Sequence, residues 1–356
     1  MQEHADFCLK HGTNCVVNRP RTDLNLCNRP QGIFSGSLIA GHAGNCCQGW
    51  SSEGKRARKA HSSQHAWNSW LAQRRELALR SEEDMFFQEC TELWDVEGCL
   101  VKPLEDSHTV VHTTVGPSTL GWPTSRNRLL SAGLSSNSLV WLGPTGADAV
   151  KQDFEAVFAR SCMLTGSVFF QEDDAERAEW YERKLKQKCF FGSKLPEGEK
   201  LMRKILTPGQ LQRLEAYGKL RAEHQALDGT FICDLDHWPN SPGPDFGPMF
   251  PVLLRHGTIL DMNTGKFAMN LDRFLALGVQ MSKTLNHRFE WPLARYVLSA
   301  SDRELQGLTG NCQSVPAILA WQLYVFCNTA RLEPRYVTRQ PSPSESQDGD
   351  EEEGSA

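Results

Sequence analysis

Cys46-Cys47-Gln48-Gly49-Trp50-Ser51-Ser52-Glu53-Gly54 decides how the rest of this 356-residue chain is read. It follows Ser37-Leu38-Ile39-Ala40-Gly41, a short apolar run that reads as a buried strand entering a glycine-bearing loop. Lys55, Arg56, Arg58 and Lys59 come next. Such a cluster can hold phosphates, or it can be a solvated helix face. A free cysteine is ordinarily a small buried apolar residue, and few are nucleophiles. Cys47 is singled out by its company further along the chain.

That company comes in order. Residues 64–80 carry Trp67, Trp70, Leu71 and Leu77 at approximate helical spacing. Asp84-Met85-Phe86-Phe87-Gln88-Glu89-Cys90 reads as a strand with Glu89 at its polar end. Thr109–Val115 is β-branched throughout and reads as another strand, and Arg128–Gly133 as a third. In Pro123-Thr124-Ser125-Arg126-Asn127-Arg128 the two arginines alternate, which on a strand puts them on one face. Residues 147–160 and 172–188 read as charged helices. Thr207-Pro208-Gly209-Gln210 starts another, running to about Ala226. Residues 238–251 are a Pro- and Gly-rich loop, 252–260 a strand, and 271–277 a short helix ended by Gly278. Leu308-Thr309-Gly310-Asn311-Cys312-Gln313-Ser314-Val315-Pro316-Ala317 leads into an apolar helix that reaches Thr329.

Taken together, these segments resemble the cytosine-5 methyltransferases. That family's nucleophile loop reads Pro-Cys-Gln-x-Phe/Trp-Ser-x-x-Gly. Cys47, Gln48, Trp50, Ser51 and Gly54 match it, and Cys46 stands at the proline. Glu89 matches the glutamate of apolar-apolar-x-Glu-Asn-Val, with Cys90 at the asparagine. Arg126 and Arg128 match Gln-x-Arg-x-Arg, with Thr124 at the glutamine. Asp272 and Gly278 fall in the stretch that ends the target-recognition region, and Gly310-Asn311 match the last motif.

The resemblance implies a fold: an α/β, Rossmann-like methyltransferase core over 36–137 and 290–330. A smaller target-recognition region is inserted at 138–289, between an irregular segment 1–35 and a disordered acidic tail 340–356. It implies transfer of a methyl group from S-adenosylmethionine to cytosine C5, in DNA or RNA. Cys47 adds to C6, Glu89 engages N3, Arg126 and Arg128 orient and neutralise, and Gly310 and Asn311 help hold the cofactor. A nuclear location follows as an expectation from a DNA substrate.

The chain also departs from that family. The glycine motif Phe-x-Gly-x-Gly-Gly and its first βα units are expected upstream, yet 36 residues precede the first strand. Phe34-Ser35-Gly36-Ser37 continues as Leu38-Ile39 instead of Gly-Gly. The expected core is therefore truncated at its N-terminus. An alternative stays open: an inactive remnant of the family that binds nucleic acid or a protein.

Composition narrows the rest. With 40% hydrophobic residues the chain can bury one large core or two modest ones. The 12 cysteines are scattered behind an N-terminus without an apolar signal, which favours a reducing intracellular compartment. No run of 18 apolar residues exists, so no membrane span is expected. Net charge is −5, but six acids lie after Arg339, and the remainder is at about +1. Cys8, His11, Cys15 and Cys27 are spaced too irregularly for a zinc site. Asp234, Asp236 and His237 could ligate a metal or form a solvated turn. No metal is expected.

Overall fold

The computed structural model describes residues 38–44, 49–50, 57–171, 174–188, 198–223, 229–241, 246–254, 256–279 and 300–332. The fold is mixed α/β. Among the described residues its main sheet has four strands: β1 (Ala40–Gly44), β2 (Met85–Cys90), β3 (His108–Val115) and β4 (Arg128–Ser135). Their order is β1-β2-β4-β3, with β1 parallel to β2 and β4 antiparallel to both its neighbours. Helix α1 (Ser63–Leu79) makes the crossover between the parallel pair. The first strand begins three residues later than its sequence indicates, because Asp84 Oδ2 takes the Ile39 N–H at 2.8 Å before the ladder starts.

β2 is buried at all six positions, as a central strand covered on both faces must be. Period-two alternation divides its side chains. Met85 and Phe87 join Leu130, Ala132 and Leu134 of β4 under two helices, α2 (Ala147–Phe158) and a late apolar helix at Val315–Cys327. Phe86 and Cys90 face the other way, into Trp67 and Leu71 of α1, Trp94, Leu100 and Trp50. β5 (Leu139–Trp141) pairs with β9 (Thr329–Arg331), so residues far apart in sequence close the same layer.

A second assembly follows. It contains α3 (Asp174–Gln187), α4 (Gly198–Ile205), α5 (Pro208–Glu223), the small sheet β6 (Ile232–Asp234), β7 (Ile259–Asp261) and β8 (Lys266–Phe267), and α6 (Asn270–Ala276). The start of α5 is capped reciprocally: Thr207 Oγ1 accepts from Gln210 N–H, and Gln210 Oε1 from Thr207 N–H. Residues 252–260 are not a continuous strand. Phe250 and Leu253 are tied to the 123–126 segment instead, through Phe250 N to Pro123 O and Arg126 to Leu253 O, so ladder pairing resumes only at Ile259. Two further helices are described after α6, α7 (Asp302–Asn311) and α8 (Val315–Cys327). α7 opens on a Ser301/Glu304 capping box. Among the described residues no helix is long and apolar enough to cross a membrane.

Beneath α1 lies a buried polar cluster with opposing titrations. Arg74 is paired with Glu83, and both are more than nine-tenths buried. Burial pushes the Glu83 carboxyl up to about 7 against the pull of Arg74. Burial, with Arg74 nearby, pushes His108 down to about 4. Below its unfolded value the His108 contribution is lost as pH falls from 6.5 towards 4, because the unfolded chain takes the proton. Glu83 acts in the opposite sense: the folded state keeps its proton, so stability falls as pH rises from 4.5 towards 7. The two slopes cancel over the shared window. Urea unfolding of Glu83→Gln is expected to unmask the histidine, its stability rising relative to the parent by roughly 1.4 kcal/mol per pH unit there. Parallel pH curves for the two proteins would contradict this.

Candidate active site

Glu89 and Arg128 meet for a reason of register. Glu89 lies opposite Leu130 in the ladder, so Arg128, two residues earlier on β4, is its diagonal neighbour on the same face. Arg128 Nε is 3.0 Å from Glu89 Oε1, with side-chain exposures of 19% and 12%. The carboxylate is thus oriented but not sealed off. Arg128 Nη1 also donates to Asn127 O at 2.6 Å, which steadies the guanidinium.

β1 ends at the same place. Gly44 is the register partner of Glu89, and the chain reaches Cys47 three residues later. Cys46, Cys47 and Gln48 themselves lie outside the described residues, as do Ser51–Arg56. Both flanks are described. On the far side Trp50 is 9% exposed and sits in the aromatic cluster with Trp67 and Trp94. Gly49 O accepts from Arg58 N–H at 2.8 Å. A Cβ on Gly49 would stand 2.8 Å from His61 Cβ and 3.0 Å from Arg58 O, so glycine is required for this approach. Of the basic cluster, Lys59 pairs with Asp95 at 3.2 Å, and Arg58 adopts φ +49°. Cys90, beside Glu89, is an apolar member of the aromatic cluster, 2% exposed.

Arg126 is placed differently from Arg128. The strand begins only at Arg128, so the alternation that puts both on one face does not extend back to 126. Arg126 is 7% exposed and donates to Leu253 O at 3.1 Å and Cys312 O at 2.6 Å. It shares the neighbourhood of Glu89 even so. Burial pushes the Cys312 thiol up, Arg126 eases it, and Glu89 pushes it further, so both charges are felt at one sulfur. A thiol so raised stays protonated near neutrality and is a poor nucleophile. Thr124, Arg126 and Ser314 line a water-sized cavity of about 10 Å³ with Phe250, Leu253 and Leu277.

Gly310 and Asn311 occupy the last turn of α7 rather than a free turn, and Asn311 is exposed. The residues that reach β1 come just after them. Gln313 Oε1 is 2.6 Å from His42 Nε2, and its amide nitrogen lies 3.0 Å from where a Cβ on Gly44 would stand. Cys312 and Gln313 were not legible as site residues from the motif. The visible signal was the spacing Gly-Asn-Cys-Gln-Ser-Val, longer than Gly-Asn-x-Val. Asp234 is not part of a solvated turn: it is 1% exposed, and its Oδ1 accepts from Asp236 N–H and Thr258 N–H, both at 3.0 Å. Among the described residues no group of three or more possible metal ligands is gathered.

No protein-family model matches the chain, and no curated protein matches its sequence. Solved structures similar in fold include a mutant of Spodoptera frugiperda DNMT2, at 12% identity and TM-score 0.43, covering 90% of this chain and 89% of that one. The S. pombe Dnmt2 methyltransferase is similar at 11% identity and TM-score 0.38, over 68% of this chain and 66% of that one. The Entamoeba histolytica methyltransferase EhMeth is similar at 10% identity and TM-score 0.38, over 81% and 77%. At these values the likenesses carry no argument about chemistry, which rests on the residues themselves.

Proposed function

We propose that this chain is a cytosine-5 methyltransferase-like protein acting on cytosine in nucleic acid through a covalent Cys47 adduct. One observation carries the reading: the strand that delivers the chain to Cys47 ends directly across from an oriented carboxylate, Glu89. Three residues extend at most about 11 Å, so the tether from Gly44 to Cys47 is short.

The chain's own residues divide the work. The target base leaves its stack to reach the sheet edge. The Cys47 thiolate adds to C6, which moves the ring's electron pair towards C5. Glu89, carrying a proton on one oxygen, donates to N3 and with its other oxygen accepts from the exocyclic amine, and so favours that addition. Arg128 holds Glu89 in place and supplies the compensating charge. After C5 is substituted, a base takes the C5 proton, that C–H electron pair forms the C5–C6 double bond, and the C6–S bond breaks to release the Cys47 thiolate. S-adenosylmethionine, when bound, supplies the electrophilic methyl group. Gly310 and Asn311 would hold it. The end of α7 presents last-turn carbonyls and an exposed amide, acceptors matched to a sulfonium and to amines.

The test is trapping. A 5-fluorocytosine oligonucleotide blocks the final proton loss, so turnover leaves a stable protein–nucleic acid adduct that denaturing electrophoresis detects. Glu89→Gln is expected to slow adduct formation by about 10²-fold or more. The competing reading, an inactive binding module, draws on Cys90, which stands at the family's asparagine and is buried among aromatic rings. Under that reading the wild-type chain binds the oligonucleotide and forms no adduct.

A further inference from the structure

The α7–α8 junction reaches three separate parts of the molecule within four residues. Arg126 Nη2 donates to Cys312 O at 2.6 Å, across 186 residues of sequence. Gln313 meets His42 at 2.6 Å, across 271 residues. Val315 N–H donates to Leu277 O at 2.9 Å, and a Cβ on the next residue, Gly278, would stand 2.5 Å from Pro316 Cδ. Arg126 extends the connection, since its Nη1 takes Leu253 O at 3.1 Å. The junction therefore touches the end of β1, the approach to β4 and the end of α6, and through Arg126 it is linked to the Leu253 segment.

We infer that Gln313 and Arg126 are positioning residues: from this common anchor, Gln313 fixes where β1 ends and Arg126 fixes the Leu253 segment to the same point. The inference rests on the covalent-adduct reading and deepens it. β1 has β2 as its ladder partner among the described residues, and its side chains alternate between exposed and half-buried. Sideways restraint of its last residues therefore comes from β2 and from the Gln313 amide laid against His42 and Gly44. Covalent catalysis is sensitive to such restraint, because a misplacement of about 1 Å costs on the order of 10² in rate. Arg126 suits its part because one planar fork reaches two carbonyls, whereas a lysine ammonium is a single point donor.

Two measurements on the full-length protein decide the matter. Hydrogen exchange is compared for the parent, Gln313→Ala, Gln313→Glu and Arg126→Lys. In Gln313→Ala the 38–44 peptide is expected to exchange roughly 3- to 10-fold faster. Gln313→Glu keeps an acceptor for His42 and should restore parental exchange. In Arg126→Lys the faster peptides should be 250–254 and 312–315. Trapping with S-adenosylmethionine and a 5-fluorocytosine oligonucleotide then separates positioning from folding. Both weakened variants should show about a tenfold lower rate constant at saturating oligonucleotide, with the half-saturating concentration and final adduct yield unchanged. Parental exchange rates in these peptides overturn the clamp. Faster exchange with an unchanged trapping rate overturns the positioning role. If the parent itself forms no adduct, the methyl-transfer reading fails, while exchange still judges the clamp.

Discussion

Cys47→Ser is expected to abolish the 5-fluorocytosine adduct completely, while the folded protein and its affinity for the oligonucleotide persist. The asymmetry follows from chemistry. A serine hydroxyl at neutral pH lacks the anionic character of a thiolate and needs a general base to activate it. Cys46 next door is a useful control, because Cys46→Ser should trap as the parent does. An adduct that survives in Cys47→Ser but disappears in Cys46→Ser would move the nucleophile by one residue. Survival in both would remove this segment from the chemistry altogether.

Trp321→Ala is expected to be the most costly single change to the fold, by about 3–5 kcal/mol. Trp321 is 1% exposed, stacks on Tyr324 at 5.7 Å, and touches Phe154 of α2 at 6.2 Å between ring centres. Its removal opens a cavity where α8, α2 and the main sheet converge. A partial offset comes from the indole Nε1, which is buried without a hydrogen-bond partner among the described residues, so truncation also removes that donor. Trp321→Phe keeps most of the ring, discards that donor, and should cost less than about 1.5 kcal/mol. Thermal unfolding should show the contrast as a drop of about 10 °C for alanine and a few degrees for phenylalanine. Equal losses would mean that the indole edge, not its volume, matters.

The parts of this fold that were legible in the sequence are those governed by local periodicity. The 64–80 helix, the Glu89 strand, the two strands at 109 and 128, and the apolar helix after Pro316 all form within a residue or two of their patterns. Errors arose where distant partners overrule local preference. The apolar run at 252–254 has strand composition, yet Arg126 takes Leu253 O, and the N–H of Phe250 just before the run goes to Pro123 O. The arginine pair obeys alternation only from Arg128 onward, so one guanidinium meets the carboxylate and the other meets two carbonyls. α7 has no clear sequence pattern although Ser301 and Glu304 form a capping box, because its interior, with Gly307 and Gly310, has weak helical propensity. At the site, register could be inferred for Glu89 and Arg128 once β2 and β4 were recognised. The role of Gln313 could not, since it depends on a contact spanning most of the chain.

Tyr324 donates its hydroxyl to Asp153 at 2.7 Å, and four side chains of α8 complete the layer over Met85, Phe87 and Leu134. During synthesis those sheet residues leave the ribosome some two hundred positions before the helix that covers them. For that interval the nascent chain carries a greasy face covered only in part, by α2, which makes chaperone holding, low temperature or slow translation the conditions for good yield. A stop codon placed before Ala317 would make the interval permanent and drive the product into inclusion bodies.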